Sequence, residues 1–396
     1  MELETEKTPK PLSFRPETPG KPERFVSLDA YRGFLMLLLT TSAFQLHKVA
    51  QQYKVGPVWR FVTYQFSHGD WRSCTLWDLI QPSFMFMVGV AVPYSIASRR
   101  SKGATDVQVF GHALWRSLLL VLLGVFIMSS GSKVRETNWT FVNVLSQIGL
   151  GYAFLVLLHG RGLRVQFASL AAILVGYWLC FALYPVPGEG FERHWNLKDN
   201  FGARFDHWFL NLFPPHAFAG NDYSTLNFIP STATMLIGVM AGEMLRGPRL
   251  PMEKFKRLLA AGVACFAISV PCDPQILPYV SRGWVICPIV KKIWTPSWAL
   301  FCSGWTLWIL AAFYWIIDVR GWKRWTSPLV VVGMNCTAMY CMWMMFKGWV
   351  LEAIQKHLGH RLFDTAYGPI WASLAWTSAL WLICFWMYRR KIFLKI

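Results

Sequence analysis

Ten long runs of apolar residues, separated by polar segments, make up most of the chain. Each run is about 20 residues long, which is the length that a helix needs to cross a bilayer core of about 30 Å. The pattern therefore predicts an all-α integral membrane protein, a bundle of about ten transmembrane helices within residues 25–390. The runs lie at about 25–45, 77–97, 110–131, 140–158, 165–185, 228–246, 257–272, 296–318, 326–347 and 369–388.

The polar segments predict how the bundle is oriented. Residues 1–24 hold five prolines among charged residues, and a segment of this kind is predicted to form a disordered tail. The tail and every second polar segment after it hold 22 of the 39 Lys and Arg residues. Because cytoplasmic loops carry the excess of basic residues, both termini are predicted to be cytoplasmic, and the long loops 46–76 and 186–227 to face outward. In a bacterium this membrane would be the inner one.

Composition changes this picture little. Apolar residues make up 54% of the chain and charged residues 15%, against about 25% charged residues in soluble domains, so a soluble multidomain protein is excluded. The net charge of +18 is explained by orientation in the bilayer, and no nucleic acid partner is expected. The nine cysteines show no metal-binding spacing, so no metal is expected. A disulfide between Cys272 and Cys287 is an option if that loop faces an oxidising compartment.

A histidine lies just before the second apolar run, where the outer membrane surface is predicted. His68 is followed by Trp71, Thr75 and Asp78. Histidine can take up and return a proton near neutral pH, which general acid–base catalysis requires. Thr75 and Asp78 are three residues apart and fit a helix capping box, with Thr75 as the N-cap. Asp78 therefore either caps the second helix or orients a catalytic group, and the sequence leaves both alternatives open.

Other polar positions near the run ends have structural explanations when taken singly. Asp29 and Arg32 are three residues apart and can pair on one face of the first helix. An amide inside a run, such as that of Asn335, is typical of a hydrogen bond between helices. The adjacent Lys291 and Lys292 at the end of a run are typical of a snorkelling anchor at the membrane surface.

In combination, these segments form an ordered set of motifs. Residues 24–33 read R-x-x-SLD-x-x-RG, and His68 and Trp71 are followed by DL-x-x-P-x-F-x-F-x-x-G at residues 78–89. Residues 292–297 match a motif of the type NK-x-W-T-P-S, and Gly333 and Asn335 match G-x-N. The set resembles that of the heparan-alpha-glucosaminide N-acetyltransferase family and of its bacterial relatives of unknown substrate, the DUF5009 group. The match runs from about residue 24 to 340.

The resemblance implies a ten-helix acetyltransferase core with acetyl-CoA as the donor. It implies that His68 acts at the outer face as the general base, with Asp78 beside it, on an amine or hydroxyl of a glycan or amino-sugar acceptor. Basic groups on the cytoplasmic side, Arg32, Arg116 and Arg246, are candidates to hold the CoA phosphates. The candidate acceptor-binding residues are Trp71, Asn227, Ser231, Trp294, Thr295, Ser297 and Asn335.

Several alternatives stay open. The acetyl group could pass directly to the acceptor or through a covalent acetyl-histidine intermediate. The chain could act alone or as a homodimer. A multi-pass transporter is one rival reading, and an acyltransferase-3-type O-acyltransferase, with His47 as its key residue, is another. Residues 40–43 lack an Asn, and residues 145–148 lack an Arg, that the heparan-acting member has. These departures count against heparan as the acceptor more than against acetyl transfer.

Overall fold

The computed structural model describes residues 25–50, 56–131, 136–213, 223–277, 279–280 and 283–394. The predicted tail at residues 1–24, including the Arg that opens the first motif, lies outside this range. The described residues form helices and no strand. The α-helices are α1 (Val26–Thr40), α2 (Leu46–Ala50), α3 (Pro57–Gln65), α4 (Ile80–Arg100), α5 (Asp106–Ser130), α6 (Val144–Leu158), α7 (Leu163–Ala182), α8 (Phe201–Leu210), α9 (Phe228–Arg246), α10 (Pro251–Cys272), α11 (Pro296–Phe313), α12 (Ser327–Gly333), α13 (Cys336–Leu358) and α14 (Gly368–Arg389). Shorter 3₁₀ turns lie at Ser42–Gln45, Phe191–Trp195, Thr225–Asn227, Pro274–Ile276 and Arg324–Thr326, and α11 continues as a π-helix at Tyr314–Val319.

The all-helical membrane architecture is confirmed, but the count of ten spans is not. Within the described residues, seven helical segments are long and apolar enough to cross a bilayer, and the bent pair Arg324–Gly333 and Cys336–His357 brings the number to eight. The seven are Ile80–Arg100, Asp106–Ser130, Leu163–Ala182, Thr225–Arg246, Pro251–Cys272, Pro296–Val319 and Gly368–Arg389. The first and fourth predicted runs do contain helices, α1 and α6, but each has only 15 residues.

Local backbone conformation explains why two of the runs are not continuous spans. Directly after α1, Ser42, Phe44 and Gln45 have φ values of 45°, 55° and 51°, a left-handed conformation in which an α-helix of L-residues cannot continue. The ninth run breaks between Gly333 and Cys336, where the chain bends by 65°. Neither break is marked by a proline, so the apolar pattern alone could not reveal it.

Glycines allow close helix crossings at the centre of the bundle. A Cβ on Gly89 of α4 would overlap the carbonyl oxygen of Met235 in α9. A Cβ on Gly33 of α1 would overlap the carbonyl oxygen of Leu329 in α12, and one on Gly333 would overlap that of Asp29. Small residues that bring two backbones together are the usual means of packing helices in a membrane. The glycines of the first and last motifs therefore hold α1 against α12.

Basic side chains gather at one end of the bundle. We call the end at which α4 begins the His68 end. At the other end, Arg246 donates to the carbonyl oxygen of Pro93 at 3.0 Å, and Lys254 lies 5.4 Å from the ring centre of Phe25. Because α4 also ends there, at Arg100, basic side chains from several helices gather opposite the His68 end.

The cysteines form no disulfide in the structure: all nine thiols are free. Cys272 and Cys287 do lie together, since the backbone N–H of Cys287 donates to the carbonyl oxygen of Cys272 at 3.2 Å. Burial raises the pKa of the Cys287 thiol to about 12. This thiol is therefore protonated near neutral pH.

Candidate active site

The loop between α3 and α4 is folded back on itself and places His68 at the bundle surface. The Thr75 hydroxyl donates to the carbonyl oxygen of Ser67 at 2.8 Å, and the backbone N–H of Trp77 donates to that of Gln65 at 3.0 Å. These bonds bring residue 68 beside residue 78. The His68 side chain stays 61% exposed while the Asp78 side chain is only 5% exposed.

Asp78 is a buried carboxylate surrounded by donors. Its Oδ1 lies 3.0 Å from His68 Nδ1 and 3.0 Å from Lys291 Nζ. Its Oδ2 accepts from the backbone N–H groups of Gly69 at 3.0 Å and Thr75 at 3.3 Å and lies 2.9 Å from the Thr75 hydroxyl oxygen. A carboxylate with hydrogen-bond partners on both oxygens is held in one orientation, so it can in turn orient the His68 ring and the Lys291 side chain.

Thr75 and Asp78 form the reciprocal bonds of a capping box, but they do not cap α4. The capping-box bonds form: the Asp78 N–H donates to Thr75 Oγ1 at 3.3 Å, and the Thr75 N–H donates to Asp78 Oδ2 at 3.3 Å. The helix itself begins at Ile80, with Leu79 at its N-cap and no side-chain hydrogen bond to that cap, so the prediction that Thr75 is the N-cap is wrong. Asp78 closes the turn before the helix through Oδ2, and its Oδ1 contacts His68.

Lys291 was expected to be a surface anchor, and this expectation is wrong. Its side chain is 9% exposed and its Nζ lies 3.0 Å from Asp78 Oδ1. A lysine that reaches a buried carboxylate avoids the penalty of an unpaired buried charge. The neighbouring Lys292 is partly exposed, so only one of the two lysines fits the anchor pattern.

This ion pair sets the charge of Asp78. Burial raises the pKa of the carboxyl, but the hydrogen bond from His68, the charge and hydrogen bond of Lys291 and the N–H of Gly69 outweigh it and hold the pKa well below its usual range. Asp78 is therefore ionised near neutral pH and can only accept hydrogen bonds. It follows that His68 Nδ1 carries the proton in this contact.

The segment that carries Lys291 is a tight turn before α11. The Thr295 hydroxyl donates to the carbonyl oxygen of Pro288 at 2.6 Å and accepts from the backbone N–H of Trp298 at 3.3 Å, which caps α11. The Ser297 hydroxyl donates to the same carbonyl at 2.7 Å. Trp294 is fully buried at a φ of 44°, a conformation that costs an L-residue about 1–2 kcal/mol. The turn is thus held rigidly, and with it the position of Lys291.

Other predicted acceptor-binding residues surround this turn. The Asn227 amide donates to the carbonyl oxygen of Lys292 at 2.9 Å, while its buried Oδ1 has no hydrogen-bond partner in the part of the chain that the structure describes. The Ser231 hydroxyl donates to Phe228 within α9 at 3.1 Å. The Trp71 indole donates to the carbonyl oxygen of Trp195 at 3.0 Å. The structure therefore links Asn227, Trp294, Thr295 and Ser297 to His68 through Lys291 and Asp78.

Asn335 is not brought to the His68 end. Its amide donates to the carbonyl oxygen of Ile392 at 3.1 Å, and its Oδ1 accepts from the N–H of Leu394 at 3.2 Å. It lies two residues after Gly333, which packs against the start of α1. In the structure Asn335 therefore ties the break between α12 and α13 to the C-terminal segment.

The arginines predicted to hold CoA lie away from His68 as well. Arg32 pairs with Asp29 at 3.6 Å, as the sequence predicted. Arg116 donates to the Tyr152 hydroxyl at 3.0 Å and lies 4.5 Å from the centre of that ring, and its Nε is buried without a partner. Arg246 binds a backbone carbonyl rather than a carboxylate. Arg116 and Arg246 thus keep positive charge that a phosphate could neutralise.

His47, the key residue of the rival acyltransferase reading, has a different environment. It lies in α2, and burial, followed by the positive charge of Lys48, lowers its pKa. Within the described part of the chain no carboxylate orients its ring, whereas His68 has Asp78. The chemistry of a positioned base therefore favours His68.

The sequence missed two members of this site. Lys291 was assigned to the membrane surface, and Trp77, whose indole N–H lies 3.3 Å from His68 Nε2, was not singled out. No signal in the neighbouring sequence distinguishes Lys291 from Lys292. The described residues bring no three His, Cys, Asp or Glu side chains together as a metal site would require.

Comparison with known proteins identifies the family of the chain. Residues 24–268 match the family described as heparan-alpha-glucosaminide N-acetyltransferase, catalytic. The human protein of that name is 26% identical over 95% of this chain, and the mouse protein is 23% identical over 98%. The chain spans 60% and 63% of the length of these two relatives. Since the family match covers more than half of the sequence, the chain belongs to the heparan-alpha-glucosaminide N-acetyltransferase family of membrane acetyltransferases.

Proposed function

We propose that this protein transfers the acetyl group of acetyl-CoA to an amine or hydroxyl of a glycan or amino-sugar acceptor at the His68 end of the bundle. The observation that carries the proposal is the exposed His68 ring held by the buried, ionised Asp78. A general base must be accessible to its substrate and fixed in orientation. The exposed His68 ring meets the first requirement, and its contact with Asp78 meets the second. The names of the human and mouse relatives supply the reaction class.

In the proposed reaction His68 acts as the general base. Its Nε2 takes the proton of the acceptor amine or hydroxyl while the acceptor atom bonds to the acetyl carbonyl carbon. The carbon–sulfur bond of the thioester then breaks, and the CoA sulfur receives the proton from His68. Asp78 keeps the Nδ1 proton of His68 in place and stabilises the imidazolium that forms between the two steps.

Lys291 supports this chemistry indirectly. It pairs with Asp78 and keeps this carboxylate ionised in a buried position. Asn227 is the proposed acceptor contact at the same turn, because its buried Oδ1 has no hydrogen-bond partner among the described residues. The hydroxyls of Thr295 and Ser297 already donate within the turn. Their role in acceptor binding, like those of Trp71, Ser231, Trp294 and Asn335, stays a prediction.

We further propose that the His68 end faces outward and the opposite, basic end faces the cytoplasm. Basic residues at the ends of α4, α9 and α14 support this orientation through the positive-inside rule. Acetyl-CoA would then approach from the basic end, where Arg116 and Arg246 offer charge for its phosphates. Arg32 is the weaker candidate because Asp29 partly neutralises it.

The test is acetyl transfer from labelled acetyl-CoA by membranes that contain the full chain. Acceptors should include amino sugars and sugars that offer only hydroxyls. We expect His68→Ala to lower transfer by about 10²–10⁴-fold, the usual contribution of a general base, and His207→Ala, a change at an exposed histidine of α8, to leave it unchanged. Both variants must elute as folded protein in size-exclusion chromatography.

The outcomes separate the parts of the proposal. Equal transfer by wild type and His68→Ala would remove His68 from the mechanism. Transfer to none of the acceptors would contradict the activity itself. Acid quenching during turnover distinguishes direct transfer from the covalent variant, since labelled acetyl bound to His68 would identify an acetyl-histidine intermediate.

A further inference from the structure

Trp77 occupies the ring nitrogen of His68 that the proposed reaction needs. The indole Nε1 lies 3.3 Å from His68 Nε2, and the two rings meet edge to face with centroids 6.2 Å apart. An indole N–H can only donate, so Nε2 is the acceptor. The direction of this bond is therefore fixed by the chemistry of the two rings.

The two neighbours of His68 act on opposite sides of its ring. Ionised Asp78 requires the proton on Nδ1, and the Trp77 N–H requires a lone pair on Nε2. Both select the same neutral tautomer, the one that a general base needs. Yet the base nitrogen is already hydrogen-bonded, although the ring is 61% exposed to solvent.

The Trp77 indole N–H has its hydrogen-bond partner in His68 Nε2. Its backbone N–H donates to Gln65, and its carbonyl accepts from Ile80, so the main chain is anchored in the turn. The indole is partly exposed and makes no other hydrogen bond or ring contact within the described residues. Rotation of the side chain can therefore free His68 Nε2 without disturbing the loop.

We propose that Trp77 is a positioning residue that occupies His68 Nε2 until the acceptor replaces it. The N–H or O–H of the acceptor offers the same kind of donor as the indole, so it can take over the bond. This inference rests on the proposed function, because it assigns Nε2 as the base. The acceptor class it selects is a group that donates a hydrogen bond, carries the nucleophile on the same atom and is held at the site by further contacts of its own, which a single water molecule lacks.

The consequence is protection of the acetyl donor. Without acceptor, a free Nε2 could take a proton from water, whose oxygen would bond to the acetyl carbon and release acetate and CoA. An occupied Nε2 cannot take that proton. Trp77 therefore suppresses hydrolysis of acetyl-CoA by the enzyme while the acceptor is absent.

The test uses Trp77→Phe in the full chain, which keeps an aromatic ring and removes the N–H. Diethyl pyrocarbonate adds an ethoxyformyl group to neutral imidazole nitrogens, and peptide mass spectrometry measures its rate at His68. Loss of one neutral hydrogen bond predicts a rise of about fivefold in this rate. The same change should raise acceptor-independent release of CoA. Trp178→Phe is the matched control, since the Trp178 indole donates to the carbonyl oxygen of Ile286 at 2.9 Å and not to a histidine.

Each result decides the inference. Equal labelling of His68 in wild type and Trp77→Phe, or an equal rise in Trp178→Phe, would overturn it. If Trp77→Phe does not fold, ¹⁵N NMR of histidine-labelled wild type replaces it, and a proton found on His68 Nε2 would overturn the inference. Labelling does not depend on acetyl transfer, so the expected rates in a protein that transfers no acetyl group would contradict the proposed function and leave the Trp77 contact standing.

Discussion

The ion pair between Asp78 and Lys291 makes a strong prediction about stability. Lys291→Met removes the charge and keeps an unbranched side chain of similar length. Both partners are nearly buried, at 5% and 9% exposure of their side chains. Removing one partner leaves a buried charge uncompensated, which typically destabilises a protein by about 3–5 kcal/mol. We expect a loss of this size.

The second variant, Asp78→Asn, leaves the charge of Lys291 buried instead. We expect a similar loss for this change, and a smaller loss for the double variant than the sum of the two, because the double variant contains neither charge. Residues in direct contact show coupling energies of about 0.5–3 kcal/mol. We expect this pair, which is desolvated, to lie in the upper half of that range.

The measurement is a double-mutant cycle by detergent-induced unfolding of the purified chain. Lys292→Met is the matched control, because Lys292 is partly exposed and is not among the donors to Asp78. Free energies for Lys291→Met and Asp78→Asn that add to the value for the double variant within about 0.5 kcal/mol would refute the reasoning. They would mean that the two side chains act independently.

The same variant predicts a change with pH. In the wild type, Lys291 helps to hold the pKa of Asp78 well below its usual range, so the stability that the ionised carboxylate provides is lost only as the pH falls through that low value. In Lys291→Met the burial remains and the compensating charge is gone. The pKa of Asp78 should rise, and both stability and acetyl transfer should be lost at a higher pH than in the wild type. If stability and acetyl transfer fall at the same acidic pH in the wild type and in Lys291→Met, this prediction is wrong.

Two further predictions concern the rest of the fold. Burial raises the pKa of Asp206 in α8 to about 6, so the folded protein favours the protonated carboxyl. The stability that the protonated form provides is full below about pH 4 and is lost as the pH rises through about 6. Asp206→Asn keeps an oxygen for the N–H of Thr225 and carries no charge at any pH. It should therefore abolish this pH dependence and raise the free energy of unfolding at pH 7.5 by about 3 kcal/mol, at 1.36 kcal/mol for each pKa unit between about 4 and about 6. Unfolding midpoints that change equally with pH in both proteins would contradict it. Gly89→Ala should destabilise the bundle by at least about 1–3 kcal/mol, because its Cβ would overlap the carbonyl oxygen of Met235. Gly176→Ala is the control, since a Cβ on Gly176 meets nothing within 4 Å. Equal stabilities of the two variants in the same detergent would rule this prediction out.

Features that depend on neighbouring residues could be predicted from the sequence. Each apolar run contains a helix, because crossing a bilayer requires the backbone to satisfy its own hydrogen bonds. The pairing of Asp29 with Arg32 and the hydrogen bonds between Thr75 and Asp78 follow from spacings of three residues. The left-handed residues after α1 and the break after Gly333 depend on backbone conformations that an apolar pattern does not encode.

The site itself could be predicted only in part. The motif around His68 indicated the histidine and the carboxylate because both lie in one loop. Lys291 is 213 residues away from Asp78 in the chain, and nothing in its own neighbourhood distinguishes it from Lys292. Trp77 resembles the many tryptophans at helix ends. Its contact with His68 arises from the way the loop folds back, which spacing along the sequence does not show.

The separation between Asp78 and Lys291 has a consequence for biosynthesis. The loop with His68 and the first four α-helices leave the ribosome well before the turn that contains Lys291. The region that matches the family ends at residue 268, so a nascent chain of that length holds His68 and Asp78 but not the lysine. Until the turn before α11 is made, the carboxylate lacks the lysine that pairs with it in the described part of the chain. Assembly of the charged centre is thus a late event in synthesis, and the second half of the chain completes a cluster whose histidine and carboxylate are made in the first.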